Sequence, residues 1–167
     1  NEKKILLLEK RAQNPAKRQK YGESLVQVGG YYFGKVLDLE EHLFREHYMK
    51  YNLRFYWKNA HRDNTNFEDY SQAYIRPFSN IPCYQLDRNK LEGELLRLNL
   101  ENSNFTFCAP ATKLETKLQN DGPHELTFEY DNNRQHVQAT WVVDTTGRNR
   151  LLAQQLDLTQ SNAIDHG

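Results

Sequence analysis

The sequence lacks several features that would each indicate a particular class of protein. Among its 167 residues there are only two cysteines and one methionine. No apolar run approaches the roughly 18 residues of a membrane span, so we predict no transmembrane helix. Cys83 and Cys108 lie far apart and form no CxxC pair. Two such thiols favour reduced, buried cysteines in a cytoplasmic protein over a disulfide framework.

An excess of positive charge is also missing, since 22 basic residues balance 22 acidic ones. A surface that binds nucleic acid needs a basic excess to displace counterions from phosphates, so we expect no nucleic-acid partner. The six histidines show no metal-ligand spacing. His42 and His47 are five positions apart, which predicts that they do not share a helix face. We therefore expect no metal site.

The apolar positions of the first half predict a mixture of strands and helices. Ile5–Leu8 is a short continuous apolar run, typical of a strand that is buried on both faces of a parallel sheet. Apolar residues recur at three- and four-residue spacing from 34 to 49, which predicts an amphipathic helix. The range 53–57 alternates like a strand. After a strand at 84–86, Asp87 is a predicted N-cap for a helix with leucines on one face.

The second half alternates apolar and polar residues between turn signals. The predicted strands lie at 105–108, 112–118, 126–130 and 137–141. This pattern predicts an antiparallel meander. Its last strand becomes fully apolar at Val142 and Val143, as if it re-entered a buried sheet. The complete order predicts an α/β fold of mixed α+β character, in which a partial Rossmann-like sheet carries an inserted β-meander.

Three positions are candidates for chemistry, and each also has an ordinary structural interpretation. Glu9 closes the first strand, where a Rossmann-type fold places the acid that hydrogen-bonds a ribose hydroxyl, but a solvated strand-end glutamate fits too. The segment 22–24 (Gly-Glu-Ser) is either a loop that approaches a planar ligand closely or a flexible loop. Lys50 ends the predicted helix, where it complements the helix dipole; in a desolvated pocket it would be a nucleophile or hydrogen-bond donor.

The stretch WVVDTTGRNR, residues 141–150, has half of the features of a cofactor site. An apolar strand stops at Asp144, turns through Gly147 and meets basic residues, as at the cofactor-binding edge of an α/β fold. The chain has no Gly-x-Gly-x-x-Gly. That motif supplies the turn and the helix N-terminus that anchor a dinucleotide pyrophosphate.

Taken in chain order, these motifs resemble those of the FAD-dependent halogenases and aromatic monooxygenases, flavoproteins with a p-hydroxybenzoate-hydroxylase-like fold. The resemblance covers nearly the whole chain and is carried by four stretches: ILLLEKR, YGESLVQVGG, YQLDRNKLEGELL and WVVDTTGRNRLLAQQLDL. It implies that residues 1–167 are an internal part of an FAD/NAD(P)-binding domain. The implied parts are a second Rossmann strand, strap-like loop and helix at 5–60, a helix and meander at 84–143, and an Asp-Gly motif with its helix at 141–158.

The resemblance also implies which residues bind FAD. They come from the strand end, the strap loop, the Asp-Arg motif and the Asp-x-x-Gly motif: Glu9, Lys10, Arg11, Gly22, Glu23, Ser24, Arg88, Asp144 and Gly147. In this assignment Glu9 holds the adenosine ribose, Arg88 contacts FAD and Asp144 lies near the pyrophosphate. Lys50 is the implied catalytic residue, which holds hypohalous acid and delivers it to an aromatic carbon.

The implied function is that of a flavin-dependent halogenase, which acts on an aromatic or similar organic substrate with reduced flavin, oxygen and halide. A flavin reductase would be its partner, unless NAD(P)H reduces the FAD directly. Two alternatives stay open. One is a flavin-dependent hydroxylase, monooxygenase or reductase that uses NAD(P)H, and the other is a truncated, non-catalytic interaction domain. Since the glycine-rich unit is missing, we expect an internal fragment that by itself binds FAD weakly or not at all.

Overall fold

The computed structural model describes residues 3–12, 20–51, 54–74 and 82–161. The chain divides into two compact units. The first comprises residues 1–6 and 13–106, and the second comprises residues 7–12 and 107–167. Each unit has its own cluster of buried apolar side chains, and each carries a different group of the predicted site residues.

Short strands and short helices follow one another along the described residues. The strands are β1 (Ile5–Leu8), β2 (Tyr48–Lys50), β3 (Arg54–Trp57), β4 (Ser71–Tyr74), β5 (Cys83–Gln85), β6 (Phe105–Cys108), β7 (Thr112–Lys117), β8 (His124–Tyr130) and β9 (Asn133–Ala139). The α-helices are α1 (Gln27–Tyr31), α2 (Glu40–Glu46), α3 (Arg88–Leu100) and α4 (Leu151–Gln155). A π-helical turn at Tyr32–Val36 continues α1, and 3₁₀ turns lie at Phe67–Asp69 and Gly147–Asn149.

One apolar cluster holds the first unit together. Leu43 is completely buried, and the rest of the cluster is at most 5% exposed: Leu39, Tyr84, Leu86 and Leu91. Leu95 and Leu98 of α3 pack against it. The predicted leucine face of this helix is therefore confirmed. So is the N-cap, because the Asp87 carboxylate accepts hydrogen bonds from the backbone N–H groups of Asn89 and Lys90.

In this unit, β5 is hydrogen-bonded on both of its edges. On one side it pairs antiparallel with β2. On the other, Leu25 N–H donates to the Tyr84 carbonyl at 2.9 Å, and Leu86 N–H donates to the Glu23 carbonyl at 2.7 Å. Residues 23–25 therefore lie as a short extended segment beside β5, and this ladder fixes the position of the predicted strap loop.

In the second unit, the predicted meander is confirmed for three of its four strands, whereas β6, predicted as the first of them, pairs with β1 instead. β7, β8 and β9 form an antiparallel sheet in that order. Leu126 and Phe128 alternate as the buried face of β8, and Phe128 packs with Cys108 in the core of this unit. Between β8 and β9, Asp131 and Asn132 have φ values of 50° and 60°. Two successive left-handed residues match the two-residue hairpin turn whose twist suits antiparallel strands.

The strand predicted at 5–8 is confirmed, but the prediction that it is buried on both faces is wrong. β1 pairs with β6. Ile5 N–H donates to the Asn104 carbonyl, and Glu9 N–H donates to the Cys108 carbonyl. Because the residue numbers of donor and acceptor rise together, the two strands are parallel. Ile5 is 52% exposed. In the described part of the chain β6 is the only strand beside β1, so much of β1 stays uncovered. The described strands lie in four small sheets, and the larger Rossmann-like sheet remains a prediction.

The helix predicted over 34–49 is wrong in its bounds. Helical structure begins earlier, at Gln27, and α2 ends at Glu46. Asp38 has a φ of 55°, and this left-handed residue separates the first helical run from α2. Lys50 consequently lies on a strand, so the interpretation that it complements a helix dipole is wrong.

The apolar strand predicted at 141–143 is also wrong. Residues 141–146 belong to no strand, and Trp141 and Val143 are both mostly exposed. The pairing of β8 with β9 shows why, because His124, the first residue of β8, already lies opposite Ala139. Beyond that residue the partner strand has ended.

The contact of α1 with the chain before β5 gives a test of the fold. A Cβ atom on Gly30 would lie 2.4 Å from the Pro82 carbonyl oxygen. Backbone cannot yield as a side chain does, so we expect Gly30→Ala to lower the free energy of unfolding by about 1–3 kcal/mol in urea denaturation. Gly29→Ala is the matched control, because its Cβ would meet the Leu25 side chain, which can rotate. Equal stability of the two variants would show that this packing is wrong.

Candidate functional site

Lys50 lies beside the Gly-Glu-Ser segment. Its Nζ donates to the Ser24 hydroxyl at 2.5 Å and to the Leu25 carbonyl at 2.5 Å. The side chain is half-buried. The structure thus brings together two parts of the sequence that were predicted separately to form a site, the strap loop and the lysine.

The ladder around β5 explains how Lys50 reaches Ser24. In the pairing of β2 with β5, Lys50 lies opposite Cys83, and the Cys83 thiol donates to the Lys50 carbonyl at 3.1 Å. On the other edge of β5, Ser24 lies opposite Gln85. The lysine and the serine therefore sit on strands that flank β5, and the long lysine side chain crosses β5 to meet the serine.

Arg88 is held by protein groups near the start of the same segment. Its Nη1 donates to the Tyr21 carbonyl, and its Nη2 contacts Glu92 Oε1 at 2.5 Å. Glu92 Oε2 forms a second ion pair, with Lys20. Gly22 lies next to this group and has a φ of 79°, a conformation that favours glycine. The predicted site residues of the first unit therefore all lie within residues 20–25 or in contact with them.

A histidine pair in this unit was not predicted from the sequence. His47 Nε2 lies 3.3 Å from His42 Nε2, and His47 Nδ1 accepts a hydrogen bond from the Asp87 N–H at 3.0 Å. The prediction that the two histidines do not share a helix face assumed a helix that continues past His47. Because α2 ends at Glu46, the His47 backbone is extended, and its ring meets that of His42. The only available signal was the end of the helix, which the apolar spacing did not reveal.

The hydrogen bond at Nδ1 decides what this histidine pair can do. A ring nitrogen that accepts from an amide carries no hydrogen, so neutral His47 has its hydrogen on Nε2 and donates it to His42. A metal-bound histidine has the opposite arrangement, with its non-ligating nitrogen as the donor. Burial lowers the pKa of His47, and the neighbouring His42 lowers it further. Neutral His47 therefore links α2 to the start of α3.

In the second unit, Asp144 caps α4. One carboxylate oxygen accepts from the Thr146 N–H at 2.8 Å and from the Thr146 hydroxyl at 2.6 Å. The other accepts from the Leu152 N–H at 2.9 Å. The hydrogen bonds from Thr146 and Leu152 lower the pKa of Asp144. The Asp-x-x-Gly motif thus forms a turn that leads into α4. The helix that the sequence predicted after this motif is confirmed.

A shallow cavity of about 500 Å³ lies along this turn. Its walls combine the motif with an arginine and apolar side chains: Asp144, Thr145, Gly147, Arg150, Leu152, Ala153, Leu156 and Leu158. Gly147 has a φ of 63°, and no atom lies within 4 Å of the position that a Cβ would take. A guanidinium, an open glycine and an apolar wall fit part of a nucleotide, whose phosphates and flat rings need both kinds of surface. The cavity therefore offers room and suitable chemistry for part of a nucleotide.

Glu9 directly follows β1, as predicted. Its carboxylate accepts a hydrogen bond from the Arg11 N–H at 2.8 Å, and its backbone bonds to Cys108 and Ala111. Lys10 and Arg11 are exposed. Glu9 belongs to the same unit as Asp144 but is not among the residues that line the cavity.

Within the described ranges, no group of three or more histidine, cysteine or acidic side chains is arranged to hold a metal ion. The helices of these ranges are also too short or too polar to cross a membrane.

Comparison with known proteins adds one distant relative. No protein-family model matches the chain. The flavin-dependent halogenase chlA of Dictyostelium discoideum is 25% identical over an alignment of 152 positions, which covers 83% of this chain and 25% of the halogenase. The chain is similar to a flavin-dependent halogenase. It spans about a quarter of the length of this relative.

The histidine pair predicts how stability depends on pH. The folded protein holds His47 with a pKa below that of the unfolded chain, so the unfolded chain binds more protons in mild acid. We expect the free energy of unfolding to be highest above the unfolded value of about 6.5 and to fall as pH drops toward the lowered pKa. His47→Asn keeps an acceptor for the Asp87 N–H without titrating. Urea denaturation at several pH values should show a flatter dependence for this variant.

The matched control for the histidine pair is His61→Asn. His61 is exposed, so its replacement should leave the pH dependence as it is in the wild type. A wild-type slope in His47→Asn would show that the pair does not govern acid stability.

The Asp144 cap predicts a local effect at α4. Asn in place of Asp144 keeps one acceptor oxygen, but its NH₂ group cannot accept from the Leu152 N–H. We expect Asp144→Asn to speed hydrogen exchange at Leu152 while β7–β9 keep their protection. Asp157→Asn, at the other end of α4, is the control and should leave Leu152 unchanged. Unaltered hydrogen exchange at Leu152 in Asp144→Asn would show that Asp144 does not cap α4.

Proposed function

We propose that this chain forms part of a flavin-dependent oxidoreductase of the halogenase type. In this proposal Lys50 binds hypohalous acid and directs its halogen to the substrate. The observation that carries this proposal is the pair of hydrogen bonds from Lys50 Nζ to Ser24 and Leu25. They fix a half-buried lysine against the Gly-Glu-Ser segment. The distant relationship to a flavin-dependent halogenase supports a flavin-dependent oxidoreductase.

The proposed role of Lys50 follows from the way its amine is held. A lysine side chain on an open surface samples many rotamers, whereas this one is restrained by two acceptors and by its half-buried stem. A restrained N–H donor can bind the oxygen of hypohalous acid and aim its halogen at one carbon of an aromatic substrate. The carbon gains the halogen and loses its proton, and the oxygen leaves as water.

FAD, when bound in its reduced form with oxygen, supplies the two-electron oxidation of halide to hypohalous acid. In the second unit, Arg150 offers a guanidinium to a phosphate, and Gly147 leaves room for close approach of the ligand. Both oxygens of Asp144 are already used by N–H and O–H groups of its own turn. In this proposal Asp144 therefore shapes the wall of the flavin site by fixing the turn.

The experiment that tests this proposal separates flavin binding from halogen transfer. FAD is titrated into the protein and followed by flavin fluorescence. The protein is then given FAD, a flavin reductase, NADH, oxygen, bromide and a phenolic probe, and the product mass is measured. We expect Lys50→Met to bind FAD within about twofold of the wild type but to lose at least about 100-fold in brominated product, as for loss of a catalytic donor.

Lys58→Met is the control for the loss of a lysine, because Lys58 is exposed on the chain that follows β3. It should keep both flavin binding and bromination. Oxidation of NADPH by the protein alone, with oxygenated and unhalogenated product, would replace this proposal with the hydroxylase alternative. A wild-type protein that leaves flavin fluorescence unchanged would favour the interaction-domain alternative.

A further inference from the structure

A group of charged side chains holds the start of the strap segment, which we define as residues 20–25. Glu92 Oε2 pairs with Lys20, and Glu92 Oε1 pairs with Arg88 at 2.5 Å. Arg88 also donates to the Tyr21 carbonyl. We call Lys20, Arg88 and Glu92 the strap clamp. The proposed chemistry gives Glu92 and Lys20 no role.

The burial of the Lys20 side chain and the sharing of one carboxylate by two cations distinguish the clamp from the other ion pairs of α3. The Lys20 side chain is only 10% exposed, and a single carboxylate receives both cations. Such charge-assisted hydrogen bonds are stronger than exposed pairs, which contribute little. By contrast, Glu94 and Glu101 pair with Arg97, which is 55% exposed, and these pairs join only residues of α3 and its C-cap. Lys90, which is 50% exposed, pairs with Glu46 of α2, whereas the clamp joins α3 to the strap segment through the largely buried side chain of Lys20.

The clamp acts on the part of the strap segment that the β5 ladder does not reach. The ladder begins at Glu23, whose carbonyl accepts from Leu86. Before it lies Gly22, whose φ of 79° belongs to a residue with wide backbone freedom. A ladder with so few hydrogen bonds opens readily at its ends unless the adjoining chain is restrained. The clamp supplies that restraint at Lys20 and Tyr21.

We infer that Glu92 is a positioning residue, which acts through Lys20 and Arg88 to keep Ser24 and Leu25 where they accept hydrogen bonds from Lys50. The catalytic meaning of this inference rests on the proposed function. It also changes the role of Arg88, which the resemblance assigned to FAD. Two nitrogens of its guanidinium are engaged by Tyr21 and Glu92, so Arg88 serves first to hold the strap segment.

The test compares Glu92→Gln with Glu94→Gln in flavin-free protein. The control removes a paired carboxylate from the same helix without touching the clamp. Two readouts are measured by peptide mass spectrometry: hydrogen exchange of residues 20–25, and the rate at which an amine-reactive acetylating reagent labels Lys50, relative to exposed Lys58. We expect both to rise about tenfold in Glu92→Gln, the change expected from losing about 1.4 kcal/mol of local restraint. Glu94→Gln should match the wild type.

A second variant protects the test against a failure of folding. If hydrogen exchange in α3 shows that Glu92→Gln has lost this helix, Lys20→Met is the variant that tests the inference. This substitution leaves the Arg88–Glu92 ion pair in place. Lys20→Met should also loosen residues 20–25 and expose Lys50. Wild-type exchange and labelling in the folded variants would overturn the inference.

The labelling experiment needs no flavin, so its outcome is independent of the proposed function. Faster labelling of Lys50 in a protein whose wild type binds no flavin would support the clamp and overturn the function. Unchanged labelling in a protein that binds flavin and brominates the probe would overturn the clamp and leave the function standing.

Discussion

Three short stretches of backbone lie side by side in the first unit, with β5 between residues 23–25 and β2. The lysine site depends on this ladder, because it fixes how far Lys50 lies from Ser24. A strand of three residues cannot hold such an arrangement by hydrogen bonds alone, since each contributes only about 1 kcal/mol in water. Tyr84 and Leu86 at β5 add burial in the apolar core, which excludes water from the ladder on that side.

The start of α3 ties the ladder to its surroundings at two points. The Asp87 N–H donates to His47, which directly precedes β2, while the Asp87 carboxylate caps the helix. One turn later, Glu92 pairs with Lys20. The two flanking strands of the ladder are thus linked to the same helix end, one through a neutral histidine and the other through a charged clamp. These two links respond differently to conditions, because acid protonates the histidine and salt screens the ion pairs.

Sequence analysis succeeded where the determining signal is local. The Asp87 cap, the leucine face of α3 and the alternation in β8 each arise within one element, so spacing and turn chemistry were enough to predict them. It failed where a distant partner decides the structure. The pattern of residues 141–143 predicted a buried strand, yet β8 begins only at His124, opposite Ala139, and no described strand pairs with the residues after Ala139.

The same limit applies to the candidate site. The motifs predicted Lys50 and the Gly-Glu-Ser segment separately, and their contact required the register of β2 and β5. Arg88 and Glu92 are four residues apart on a helix, a spacing that suggests an ion pair from sequence. The contribution of Lys20 could not be read in this way, because a sequence gives no indication of which of many lysines will approach a given glutamate across the fold.

Several residues that the resemblance assigned to a cofactor already bond to the protein. Asp144 is occupied by Thr146 and Leu152, and Glu9 accepts from the Arg11 amide. Such residues can still define a binding site, because they fix the backbone that a ligand meets. Binding to a surface that is already ordered avoids the entropy cost of immobilising side chains. This favours a division of labour in which charged residues preorganise the turns, while Gly147 and the leucines beside it provide the surface that contacts the ligand.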